Sequence, residues 1–145
     1  MGRQEIVLGA EIPTVTKKVN QEKMTLYENV YDRTKLGLPT ENQHTSIAAA
    51  KARVGTSFTI ASGRMELTYC TEALRNFFGP EAFGHTAKVR MMHIRPVRDG
   101  DTITAHGKVT EVKPEAAGKR VTVDIWCDNQ NGDKTGVGSA TVLVK

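Results

Sequence analysis

The sequence predicts an α+β fold in which a curved antiparallel sheet wraps around one long buried helix. Three observations point there. In SGRMELTYCTEALRNFFG, the residues Met65, Leu67, Tyr69, Cys70, Ala73, Leu74, Phe77 and Phe78 cover most of a helix circumference, and a helix apolar nearly all round is a buried one. From residue 87 onward, four stretches alternate apolar and polar residues with the period of half-buried strands. The chain has 145 residues and no long polar stretch that would serve as a linker, so residues 1–145 are expected to form one domain around one core.

Each element has its own signal. A short strand is expected around residues 14 to 19. NQEKMTLYENVYDRTK follows as a helix, with Asn20 as N-cap and Met24, Tyr27, Val30 and Tyr31 as its apolar stripe. The loop LGLPTENQH is rich in turn formers. TSIAAAKARVG reads as a short helix capped by Thr45 or Ser46 and ended by Gly55. After the buried helix, Ala87, Val89 and Met91 alternate with Lys88, Arg90 and Met92 up to the Pro96 break. Ile103, Ala105 and Val109 alternate with Thr102, Thr104, His106 and Lys108, and Val121, Val123, Ile125 and Cys127 with Thr122, Asp124, Trp126 and Asp128. The turn NQNGDK, with its Asn-Gly pair, leads into a last strand ending TVLVK. The expectation is a meander of four consecutive strands.

Composition excludes several classes. Hydrophobic residues make up 39% and charged residues 25%, which suits a globule and not a disordered chain. The longest apolar stretch is broken by Glu66, Glu72 and Arg75, so no bilayer span is expected. MGRQEIVLGAEIP carries a charge where a signal peptide would be apolar; a cytoplasmic protein without membrane partners is expected. Net charge is +4, but the basic residues are scattered and match no nucleic-acid motif. Cys70 and Cys127 lack metal-site spacing and read as free core thiols. The four histidines are dispersed, so no metal site is expected.

The run HIRPVRDGDTITAHGKVTEV resembles a strand pair of the MaoC-like acyl-thioester hydratases and dehydratases, in which a Pro-Val turn leads into Gly-Asp-Thr and then a strand with Gly-x-Val. DNQNGDKTGVGSATVLV is similar to the closing hairpin of that family, and NQHTSIAAAKARVG and IASGRM extend the likeness to most of residues 20 to 145. The resemblance implies a hot-dog fold, a homodimer or dimer of dimers, and addition or removal of water at the double bond of an enoyl thioester. It implies no cofactor of the protein's own; the substrate is carried on coenzyme A or an acyl carrier protein. Fold alone also admits a relative with altered thioester chemistry, such as an isomerase, another lyase or a thioesterase, or a non-catalytic acyl-binding subunit.

The usual signature of the family is G-D-x-N-P-x-H before a short helix, and His44 stands at the His position. A lone loop histidine is otherwise a solvated one; at this position the resemblance makes it the acid/base residue. Pro39 stands where the family has its catalytic Asp, five residues before the His, and Asn42 sits two residues before it, not three. Glu41 is the carboxylate left in the loop, either a stand-in for that Asp or a solvent-facing charge. Asn42 either orients water or the thioester carbonyl, or is a turn residue.

Gly63 opens the buried helix, where free N–H groups and the helix dipole can hold an enolate oxygen. Its backbone N–H, joined by that of Arg64, is the candidate oxyanion donor, and close helix packing is the alternative reason for a glycine there. Ser62, Arg64 and Thr71 are the candidate substrate-binding residues. Arg64 is a cation where the dipole disfavours one, so an anion is expected beside it: a surface carboxylate or an acidic group of the substrate. Thr71 matches a hydroxyl residue lining the family's site, or bonds its own helix backbone. His85, His93 and His106 match no motif and read as structural or exposed.

Overall fold

Along the chain run β1 (Val15–Lys18), α1 (Gln21–Glu28), α2 (Ile47–Val54), α3 (Gly63–Phe78), α4 (Pro80–Thr86), β2 (Lys88–His93), β3 (Thr102–Glu115), β4 (Gly118–Asp128) and β5 (Lys134–Val144). The computed structural model describes residues 5–145. The first four residues, part of the opening segment read above for a signal peptide, lie outside the described residues.

Alternation sets the two faces of the sheet. Val121, Val123, Ile125 and Cys127 of β4 are buried, while Thr122, Asp124, Trp126 and Asp128 stay on the outer face, as a period of two requires. Ile103, Ala105 and Val109 of β3 and Ala140 and Val142 of β5 join the inner face. Against it α3 lays Met65, Tyr69, Cys70, Ala73, Leu74 and Phe78. Full burial of each large aliphatic side chain here is worth about 1.5–3 kcal/mol.

All five strands pair antiparallel in the order β1-β3-β4-β5-β2. The expected α+β arrangement of a sheet around a central helix is therefore present. The expected four-strand meander is not: β3, β4 and β5 form one, but β2 crosses to the far edge and pairs with β5. Alternation locates a strand and its faces; it does not choose the neighbour.

The helices also differ in detail from expectation. Asn20 caps α1 by accepting from the Lys23 N–H at 2.8 Å, but the helix stops at Glu28, leaving Val30 and Tyr31 exposed. The following Asn-Val-Tyr-Asp run is poor in helix formers, and Asp32 turns the chain by accepting from the Thr34 N–H and hydroxyl. Ser46, not Thr45, caps α2, and Gly55 ends it in the left-handed region at φ 72°. α3 is one-faced and not apolar all round: Arg64, Thr68, Arg75 and Asn76 are exposed. α4, for which no expectation was made, starts on Pro80, a residue suited to the first helical position.

Cys70 and Cys127 are free and buried, as read from the sequence, with their sulfurs 3.5 Å apart. Among the described residues, no helix is long and apolar enough to cross a membrane.

Candidate functional site

A cleft of about 340 Å³ opens beside the N-terminus of α3, with His44, Ile60, Gly63, Glu66, His93 and Arg95 in its wall. A larger hollow of about 660 Å³ on the outer sheet face, around Trp126 and Met92, contains none of the expected site residues. The acid/base groups therefore single out the smaller cleft.

His44 is held from both sides by the chain segment before α3. Ile60 donates its N–H to the Gln43 carbonyl at 3.1 Å and accepts His44 Nδ1 on its own carbonyl at 2.7 Å. A carbonyl only accepts, so the neutral ring carries its proton on Nδ1 and a lone pair on Nε2. The Gln43 amide nitrogen lies 3.2 Å from that Nε2. From α1, Gln21 donates to the His44 carbonyl at 2.9 Å. The sequence-expected base thus faces the cleft in the tautomer a base needs.

Asn42 faces away from the cleft. It is 2% exposed, accepts the His44 N–H at 2.8 Å and donates to Glu28 at 3.3 Å. That is the turn geometry open to an Asn at such a place. Glu28 is a buried carboxylate of α1, paired with Arg33 at 3.1 Å and with Arg64 at 3.6 Å. The anion expected beside Arg64 is therefore a residue of this chain, and it is buried, not on the surface. Ser62 is buried at the start of α3, where its hydroxyl accepts from Arg64 Nε at 3.4 Å.

The remaining candidates scatter. Glu41 is exposed and lies outside the cleft wall. Thr71 donates to the Thr68 carbonyl of its own helix at 2.9 Å, the backbone-bonded alternative. His85 is exposed on α4, and His106 stacks on Trp126 and bonds Asp128 on the outer sheet face. Among the described residues, no group of three His, Cys, Asp or Glu is placed to hold a metal ion.

The carboxylate that does reach the cleft is Glu66, one turn into α3. It is 3% exposed; one oxygen accepts from His93 Nδ1 at 2.9 Å and the other from the Thr135 hydroxyl. The His93 ring lies against Gly63, where any Cβ would collide with its Nε2 edge. The glycine expected to admit a thioester carbonyl thus also admits an imidazole.

Solved structures match this architecture over nearly the whole chain. The MaoC-like dehydratase from Rhodospirillum rubrum superposes with a TM-score of 0.75, at 19% identity over 96% of this chain and 92% of that one. The fold is the hot-dog fold. The (R)-hydratase PhaJ1 from Pseudomonas aeruginosa shares it, with a TM-score of 0.72 and 21% identity over 97% of this chain and 83% of its own. So does the C-terminally truncated HadBC complex, a 3R-hydroxyacyl-ACP dehydratase from Mycobacterium tuberculosis, with a TM-score of 0.71 and 17% identity over 98% and 99%. No protein-family model matches the chain, and no curated protein does.

Sequence reasoning missed the Glu66, His93 and Thr135 group. These residues come from α3, the end of β2 and the start of β5, and they meet only because the hot-dog sheet carries β2 across to β5. One signal was available: a glutamate on the apolar face of the central helix has to find a partner in the core.

Proposed function

We propose that the protein adds water to, or removes it from, the double bond beside the carbonyl of an acyl thioester carried on coenzyme A or an acyl carrier protein. The observation that carries this reading is the pairing of His44 with the N-terminus of α3 in one cleft: a base with Nε2 unprotonated beside backbone donors for an oxyanion. The hot-dog neighbours named as hydratases and dehydratases support the same class.

In the hydrating direction His44 Nε2 takes a proton from water as the oxygen bonds to the β-carbon. The double-bond electrons move onto the thioester oxygen, held by the first N–H groups of α3, and return as the α-carbon is protonated. Removal of water runs the same steps backward. The cleft holds these groups without Glu41.

The test is turnover of a panel of short and medium enoyl-CoA substrates. His44→Ala is expected to lower kcat by about 10²- to 10⁴-fold, the usual range for loss of an acid/base group. Glu41→Gln is expected to stay close to wild type. No turnover by the wild-type protein anywhere on the panel would sink the reading. The subunits are proposed to pair as a homodimer or dimer of dimers, because β1 and β2 each leave a sheet edge unpaired; a monomer in sedimentation would contradict this.

A further inference from the structure

Glu66 is a carboxylate carried into the core on the buried face of α3, and both of its oxygens are engaged, by His93 Nδ1 and by the Thr135 hydroxyl. A buried polar cluster of this kind is weak evidence for stability, since apolar residues of similar size often serve as well. Thr135 is fully buried, and its carbonyl accepts the N–H groups of Ile94 at 2.8 Å and Arg95 at 3.2 Å. The same residue therefore fixes the backbone just beyond His93 and the carboxylate that orients its ring. With Nδ1 committed to Glu66, Nε2 lies over Gly63 at the mouth of α3, and the imidazole keeps 40% exposure. His44 and His93 thus line one cleft, each with Nδ1 held by the protein; Nε2 of His44 accepts from the Gln43 amide, which an incoming water would have to displace, and Nε2 of His93 lies against Gly63.

We propose that His93 is the second proton-transfer residue of this cleft, with Glu66 as its positioning residue, in place of the Asp that Pro39 displaces from the loop. This rests on the hydratase reading above. His44 Nε2 takes one proton from water as the carbon–oxygen bond forms at the β-carbon. Protonated His93 then gives its Nε2 proton to the α-carbon as the enolate electrons return. His44 ends protonated and His93 neutral, and exchange of one proton each with solvent restores both.

The experiment compares full-length wild type, His44→Ala, His93→Gln and Glu66→Gln for enoyl-CoA hydration, solvent deuterium isotope effect on kcat, and thermal unfolding. In His93→Gln the new side-chain amide would still donate an N–H toward Glu66, so a structural role survives that change and proton delivery does not. His93→Gln is expected to lower kcat by about 10²-fold or more with KM near wild type, to raise the solvent isotope effect, and to unfold close to the wild-type temperature. Glu66→Gln is expected to show the same split, less severely. Wild-type kcat in His93→Gln alongside loss in His44→Ala would overturn the role of His93 and leave the hydratase reading standing. A wild type that turns over nothing overturns both. His93→Ala with and without added imidazole is the second variant: restored turnover supports the proposal, and turnover that imidazole does not change counts against it.

Discussion

The Ile60 carbonyl lies 2.7 Å from His44 Nδ1, while the Ile60 N–H holds the Gln43 carbonyl at 3.1 Å. One residue thereby sets the position of the loop and the tautomer of its histidine. Because the acceptor is a backbone carbonyl, no side-chain substitution removes it, and the Nδ1–H form is expected to dominate whenever the ring is neutral. Nitrogen-15 NMR of the imidazole should show a protonated Nδ1 and an unprotonated Nε2; the reverse assignment would remove the argument for His44 as the base.

Gly63→Ala should act through His93. A Cβ at position 63 would overlap ring atoms of that side chain, so the imidazole has to swing away and its bond to Glu66 is lost. Overpacking of this kind costs about 1–3 kcal/mol, and turnover should fall with it. A structure of the variant with the His93–Glu66 bond intact would show that the glycine serves backbone approach alone.

Most of the fold was legible because strand and helix periods are local. Val121, Val123, Ile125 and Cys127 announce their face in seven consecutive residues, and Asn20, Ser46 and Gly55 announce helix ends by chemistry that acts within one turn. His44 was singled out by its match to the His position of the family signature, since a loop histidine beside a short helix carries no local signal of its own. The partner of β2 was not, because pairing with β5 rather than β3 depends on contacts between distant segments. For the same reason Glu41 drew attention through nearness in sequence, whereas Glu66 reaches the cleft through α3, and its link to His93 spans 27 residues.

The Cys70–Cys127 pair makes a prediction about alkaline pH. Contact with Cys70 at 3.5 Å, and then burial, push the Cys127 thiol far above its ordinary value of 9.0. Its folded pKa is raised, so its contribution to stability is complete below about 9 and is lost as pH rises further, where only the unfolded chain can ionise. Stability should decline above pH 9 by about 1.4 kcal/mol per pH unit from this group. Denaturant titrations of wild type and Cys127→Ala should diverge in slope there; parallel curves would contradict the assignment. A thiol reagent should label neither cysteine of the folded protein at pH 8, since the thiolate is the reactive form and both sulfurs are buried.

Glu28 tests whether the support behind His44 matters more than the surface charge attached to it. Its carboxylate is 2% exposed and joins three segments: Arg33 at 3.1 Å and Asn42 at 3.3 Å on one oxygen, and Arg64 at 3.6 Å on the other. The Arg64 side chain is 62% exposed and stands 3.6 Å from Oε1 without a hydrogen bond to it, so Arg64→Ala removes only a long, half-solvated contact, and the cost should stay within about 1 kcal/mol. Glu28→Gln removes the charge at the buried end, where water cannot substitute, and should cost about 1–3 kcal/mol. The damage should also travel: Asn42 holds the His44 N–H at 2.8 Å, so amide exchange at His44 should speed up in Glu28→Gln and not in Arg64→Ala. Equal destabilisation by the two variants, with His44 exchange unchanged in both, would mean that the loop holds His44 without help from Glu28.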